Sequence, residues 1–295
     1  LEALKDYNRA ILLSPNSYSA INNRGLILQR LKRFDEALAD FNKIINFDKK
    51  NEEALSNRGA IHKGLGRLDE ALADYNHALE LNPNYVEALN NRGIINMEID
   101  NSSGALADFE KVLSIEPSSF ETLNNRGNIL RELGRYEEAL ADYDKAISIK
   151  PDYVDSLKHR GDVNRKIRRY DDALKDFKNV LLLNSGDYEA FNKRGLVFRD
   201  LGQSKKAFLD FNEAISLNPN YAMSYSNRGI ERNELGQFDE ALADYDKAIS
   251  IKPDYAEPHF NKSLQKLLLG DFASGWGLYE WRWKMEHNIG KKLDS

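Results

Sequence analysis

Apolar residues recur along this chain with helical spacing inside a longer period of 34 residues. One place in the period is always aromatic, at Tyr7, Phe41, Tyr75, Phe109, Tyr143, Phe177, Phe211, Tyr245 and Tyr279. Leu38, Leu72, Leu106, Leu140, Leu174 and Leu242 stand three residues earlier, so both share one helix face and form a stripe of the kind that builds a core. Two further places are small. Glycine recurs at Gly25, Gly59, Gly93, Gly127, Gly161, Gly195 and Gly229, and alanine at Ala37, Ala71, Ala105, Ala139, Ala173, Ala207 and Ala241. Small side chains in fixed register let two helices cross at the usual spacing of about 8 to 10 Å. Proline ends most periods, at Pro15, Pro83, Pro117, Pro151, Pro219 and Pro253, where its fixed φ and missing N–H stop a helix. Lys49 and Ser185 replace it in two periods. The pattern predicts two antiparallel helices per period, over positions 1–14 and 17–30.

With Tyr18 as the first position, whole units begin at Tyr18, Glu52, Val86, Phe120, Val154, Tyr188 and Ala222, so residues 18–255 hold seven repeats. Residues 1–17 read as a partial repeat that supplies only a second helix, 256–289 as a divergent repeat or cap rich in tryptophan, and 290–295 as a tail. The chain opens inside a repeat and without methionine, which suggests a processed form or part of something longer. Repeats of this length stack, each burying its apolar faces on its neighbours, and they present a long surface to a partner. Binding is therefore expected before catalysis.

The small eighth and twentieth positions, the aromatic twenty-fourth and the late proline resemble the tetratricopeptide repeat family. The resemblance covers nearly the whole chain. It implies an all-α fold, a right-handed superhelical solenoid of antiparallel helix pairs whose first helices line an inner groove. Protein or peptide binding is the role it implies.

Each whole unit carries arginine at position 7 and aspartate sixteen residues later: Arg24 with Asp40, Arg58 with Asp74, Arg92 with Asp108, Arg126 with Asp142, Arg160 with Asp176, Arg194 with Asp210, and Arg228 with Asp244. Antiparallel folding brings the two together near the middle of the hairpin, where a guanidinium grips a carboxylate through two bonds. In the last unit both change, to Lys262 and Leu278, as a structural pair predicts.

One residue before each arginine lies a row, Asn23, Asn57, Asn91, Asn125, His159, Lys193, Asn227 and Asn261. Asparagine is a poor helix former, so its recurrence in mid-helix points to a need for the amide. An amide offers donors and an acceptor to the main chain of an extended peptide, and repeats about 10 Å apart match roughly three residues of such a strand. The row resembles the asparagine ladder of eukaryotic O-linked N-acetylglucosamine transferases, which implies peptide holding; the alternative is that the amides cap or bridge neighbouring helices. Positions 2 and 9 share this face, the former mostly acidic, the latter apolar except at Asn128 and Asp162. Lys158, Arg165 and Lys193 cluster where the row departs from asparagine, and form either a receptor for an acidic or phosphorylated segment or a solvated face. The spacing wanted by a clamp for a chaperone's C-terminal carboxylate fails at most positions.

The charge balance, 42 basic against 47 acidic side chains, offers no general attraction to nucleic acid or anionic membrane, and neither is an expected partner. Cysteine is absent, so disulfides, thiolate metal sites and a cysteine nucleophile are excluded. The five histidines have no ligand spacing, and Gly64-Leu65-Gly66 reads as a turn and not a phosphate loop. No metal, cofactor or catalytic residue is expected, and this chain is read as no enzyme. Without a targeting segment or apolar span, cytoplasmic location is favoured.

All three tryptophans, Trp276, Trp281 and Trp283, fall near the end, as interface anchors or as a cap on the last repeat. The run from Gly270 to Trp283 resembles the segment that ends the array in bacterial repeat proteins carrying a glycosyltransferase-like domain. Three readings follow: a scaffold that holds an extended peptide, the recognition arm of a larger glycosyltransferase with a C-terminal catalytic domain, or a self-assembling scaffold.

Overall fold

The computed structural model describes residues 2–285; Leu1, the last positions of the divergent unit (286–289) and the tail lie outside the described residues. The fold is all-helical. Its elements in order are α1 (Glu2–Leu13), α2 (Tyr18–Arg30), α3 (Phe34–Phe47), α4 (Glu52–Gly64), α5 (Leu68–Leu81), α6 (Val86–Glu98), α7 (Ser102–Ile115), α8 (Phe120–Glu132), α9 (Tyr136–Ile149), α10 (Val154–Lys166), α11 (Tyr170–Leu183), α12 (Tyr188–Asp200), α13 (Ser204–Leu217), α14 (Ala222–Glu234), α15 (Phe238–Ile251), α16 (Ala256–Leu268) and α17 (Phe272–Tyr279). A 3-10 turn, Glu280–Lys284, follows α17.

The helices gather into two compact units, Leu1–Pro151 and Asp152–Ser295. Within each, a first helix packs on the second helix of its own repeat and on the second helix of the repeat before it. Consecutive first helices also approach one another, α2 with α4, α4 with α6 and α6 with α8 in one unit, α10 with α12, α12 with α14 and α14 with α16 in the other. Consecutive second helices do not. The first helices therefore take the shorter, inner side of each stack.

The hairpin core follows from the small and aromatic positions. The rings of Phe41, Tyr75, Phe109, Tyr143, Phe177 and Phe211 are wholly buried, as are Ala37, Ala71, Ala105 and their equivalents. A Cβ added at Gly93 would lie 2.7 Å from the Phe109 ring, and one at Gly195 2.6 Å from Phe211. The glycine is what lets the ring edge close on the partner helix, and each such ring contributes about 2 to 3 kcal/mol by leaving water. The hairpin turn needs one left-handed residue. Gly66 supplies it at φ 72°, as expected of a turn, while Arg168 takes the same place at φ 64° without glycine's freedom.

All seven arginine–aspartate pairs form, each through two parallel bonds. Arg92 Nε and Nη2 donate to Asp108 at 3.0 and 2.6 Å, and Arg194 to Asp210 at 2.8 and 2.7 Å. Asp40, Asp108, Asp176 and Asp244 are buried, so the fork supplies the charge that would otherwise be missing beside them. Several arginines also reach back to the preceding second helix: Arg24 to Asn8 at 2.9 Å, Arg58 to Asn42 at 2.6 Å, Arg92 to Asn76 at 2.7 Å and Arg228 to Asn212 at 2.7 Å. One side chain thus pins its own hairpin and the joint to the previous repeat. Lys262, which has lost the aspartate, keeps the second role by pairing with Asp246.

Candidate functional site

The asparagine row lies on the first helices, one residue before the arginines. Its environment is set by position 5 of the repeat before it. In α2 that residue is Asn22, whose carbonyl accepts from the Asn57 amide at 3.2 Å. In α12 it is Asn192, which accepts from Asn227 at 2.9 Å and from the Ser224 hydroxyl at 3.0 Å. Asn227 is buried, and its own carbonyl accepts from Arg199 at 3.1 Å. At these two places the amides bridge neighbouring repeats.

At Asn91 and Asn125 no such bond forms. Asn91 follows a repeat with Ser56, which has no amide carbonyl, at position 5, and Asn125 follows Asn90, whose carbonyl accepts from the Thr122 hydroxyl at 2.9 Å and not from the Asn125 amide. Asn91 and Asn125 are half-buried, Asn23 is exposed, and none of the three makes a side-chain hydrogen bond. The Asn261 Nδ2 is buried without a partner, facing a repeat whose position 5 is again a serine, Ser226.

The cations are engaged within the chain. Lys158 pairs with Asp187 at 2.6 Å and Glu189 at 3.2 Å, Lys193 with Asp162 at 2.5 Å, and Arg165 with Asp200 at 2.6 Å. Burial pulls the Lys158 ammonium down, but its bonds to Asp187 and Glu189 outweigh this and raise it above the ordinary lysine value. An incoming acid must therefore displace resident carboxylates. His159 is half-buried in α10. Polar residues at positions 2 and 9 are likewise in use: Glu53 accepts from Asn22 at 2.7 Å, and Asn128 accepts from the Tyr143 hydroxyl at 2.8 Å.

The tryptophans divide. Trp281 stacks on His259 of α16, ring centroids 3.8 Å apart and nearly parallel, so the 3-10 turn folds back over the last repeat. Trp283 is half-buried, with the Arg282 guanidinium 4.6 Å over its ring. Trp276 is 59% exposed.

Position 10 is a residue class that sequence reasoning passed over. It is Ile61, Ile95, Ile129, Val163 and Val197 in successive repeats, all buried, then Glu231 and Gln265, equally buried. Neither Glu231 oxygen meets a hydrogen-bond partner, nor does either polar atom of Gln265. Burial raises the Glu231 carboxyl above its ordinary value, with Ser204 and Arg199 offsetting this in part. A break in an otherwise apolar column was the available signal.

Among the described residues no helix is long and apolar enough to cross a membrane, and no cluster of histidine and acidic residues could hold a metal ion.

The sequence matches models described as tetratricopeptide repeat over residues 18–51, 52–85, 120–153 and 160–222, and as TPR repeat over 231–262. Together these span more than half of the chain. No curated protein matches it. Among solved structures, a tetratricopeptide repeat protein from Parabacteroides merdae ATCC 43184 shares the fold with a TM-score of 0.64 at 22% identity, over 86% of this chain and 98% of that one. PilW, a type IV pilus biogenesis factor, gives 0.63 at 20% identity over 70% and 95%. The Cut9–Hcn1 assembly of the APC/C gives 0.65 at 13% identity over 89% and 52%. The family models and the shared helix-pair architecture lead to one assignment: the chain belongs to the tetratricopeptide repeat family.

Proposed function

We propose that this chain is a non-catalytic scaffold that holds an extended segment of another protein along its first helices. The observation that carries this reading is the pair of uncommitted amides at Asn91 and Asn125, on the inner side of the first unit and each with a preceding first helix that could have engaged it. A row whose only task was to bridge repeats would have partners throughout, as Asn57 and Asn227 do. Amides address the main chain, so the guest is recognised by being extended more than by its side chains.

The test is a panel of 12-residue peptides selected by display on the wild-type chain, with affinities measured by fluorescence anisotropy. Replacing Asn91 and Asn125 by alanine removes up to four bonds worth about 1 kcal/mol each, so affinity falls by at least about tenfold. Scrambled peptides bind nearly as well as their parents. Unchanged affinity in the double variant ends the proposal.

A second reading, self-association through the C-terminal end, draws on a separate observation. Phe272 and Trp276 of α17 are 60% and 59% exposed, whereas residues at the same positions in earlier repeats, such as Phe238 and Leu242, are half-buried. Light scattering across a range of concentrations tests it, and a constant monomer mass rejects it.

A further inference from the structure

Position 1 opens every first helix; in three of the eight it carries a ring, Tyr18, Phe120 and Tyr188, and in three others Glu52, Val86 or Val154. Each ring fills the crevice beside the end of its own second helix or the next turn. Tyr18 stacks on Phe47 with centroids 4.3 Å apart. Phe120 lies under the Lys150 ammonium, 4.6 Å from its centroid. Tyr188 meets Tyr221 edge-on at 4.9 Å.

In α14 and α16 position 1 shrinks to Ala222 and Ala256. The space is left as a cleft of about 930 Å³ between the turns that carry Tyr221 and Tyr255, bounded also by Lys284 and Met285 at the end of the 3-10 turn. That size lies within the range of sites that bury a small ligand or a side-chain anchor.

The walls repeat what the filled crevices contain. Ile251 stands at the repeat position of Phe47, and Lys252 at that of Lys150, the residue over Phe120. Among the described residues Lys252 has no carboxylate partner; its ammonium is 5.8 Å from the Tyr255 ring. Glu257, on another wall, accepts the Tyr255 hydroxyl at 2.6 Å. Met223 and Met285 supply flexible, polarisable thioethers that suit an aromatic face.

We propose that this cleft receives an aromatic side chain from a segment of another protein, its ring over Ala222 and beneath Lys252 as Phe120 is beneath Lys150. An aliphatic side chain fills the volume but gains nothing from the ammonium, and an acidic one meets Asp254 and Glu257. The site sits on the turns between repeats and is independent of the asparagine row.

The chain has three methionines, Met97, Met223 and Met285, and only the last two border the cleft. The full chain with ¹³C-methyl methionine is titrated with N-acetylphenylalaninamide and, separately, N-acetylleucinamide. Met223 and Met285 shift saturably with the aromatic amide while Met97 stays still, and the leucine amide binds at least about threefold more weakly. Lys252→Ala weakens the aromatic amide by about two- to fivefold and leaves the leucine amide unchanged. Ala222→Phe, which restores a ring at position 1, abolishes both shifts. Asn91→Ala with Asn125→Ala leaves the titration unchanged, which separates this site from the groove.

Several results overturn the proposal: no saturable shift, movement of all three methionines together, or equal binding of the two amides. If Ala222→Phe disturbs the fold, as the Met97 signal and a thermal melt would reveal, Lys252→Ala decides, and undiminished aromatic affinity there refutes the idea. Shifts of Met223 and Met285 that follow chain concentration without probe assign the cleft to a second copy and also refute it.

Discussion

Glu231 stands in a column of buried isoleucines and valines, and replacing it by isoleucine is expected to stabilise the protein. The site is 1% exposed, as are Ile129 and Val163 at the same repeat position, and neither carboxyl oxygen has a hydrogen-bond partner. An unpartnered buried polar group costs about 1 to 3 kcal/mol, and exchanging buried ionic groups for well-packed apolar ones stabilises by about 1 to 4 kcal/mol. A gain of about 2 kcal/mol at pH 7.5 follows, or roughly 4 to 8 °C in melting temperature. The pH dependence carries a sign of its own. Because burial raises the carboxyl above 4.5, the folded chain binds more protons than the unfolded one between that value and the raised one. Wild-type stability at this site therefore falls as pH rises through that window. The advantage of Glu231→Ile should be smallest near pH 4.5 and grow toward neutrality, and Glu231→Gln should lose the pH dependence while keeping a buried amide. Calorimetry on the three proteins at pH 4.5, 6 and 7.5 decides. An isoleucine variant that melts below wild type at pH 7.5, or a difference that ignores pH, would mean that Ser204 and Arg199 fully compensate the carboxylate and that the reasoning is wrong.

Arg92→Ala leaves Asp108 buried without its cation and should cost about 3 kcal/mol in urea unfolding, whereas Arg92→Lys with Asp108→Leu, the combination at Lys262 and Leu278, should recover most of it. Gly93→Ala drives a methyl into the Phe109 ring and should destabilise by about 1 to 3 kcal/mol, read from the same urea curves. Arg168→Gly relieves a left-handed arginine in the α10–α11 turn and should raise the melting temperature slightly, by less than about 1 kcal/mol in stability. Ser56→Asn supplies the carbonyl that Asn91 lacks, so peptide affinity measured by anisotropy should drop although Asn91 itself is untouched.

The fold was legible because its determinants repeat. A glycine and a ring sixteen residues apart, such as Gly93 and Phe109, mean little once, but recurring through seven units they can only be a contact. The same held for the arginine–aspartate pairs. What escaped was anything in which one side chain serves two partners. Lys262 and Leu278 read as the loss of a pair, yet the cation stays at its post because its other partner, Asp246, lies in the preceding repeat. The left-handed turn residue was read at Gly66 alone; Gly134, Gly202, Gly236 and Gly270 stand at the same place, but so do Lys32, Asp100 and Arg168, which broke the column.

The row of amides was legible as a row and illegible as a site, for a physical reason. Whether an asparagine at position 6 is available depends on its neighbour's length one repeat back, and on what else claims that neighbour. Asn22 and Asn192 reach forward and engage the amides of Asn57 and Asn227; Ser56 offers Asn91 no amide carbonyl; Asn90 accepts from Thr122 and leaves Asn125 unbonded. Under the proposed function, joint and guest compete for the same donors. Each hydrogen bond given to the joint contributes to stacking and is withdrawn from recognition, each at about 1 kcal/mol. On that reading, changes at position 5 trade rigidity against binding while leaving the row intact. The number of position-6 amides left unbonded by the preceding repeat, and not the count of asparagines at position 6, is therefore the quantity that should track peptide affinity among variants of this chain.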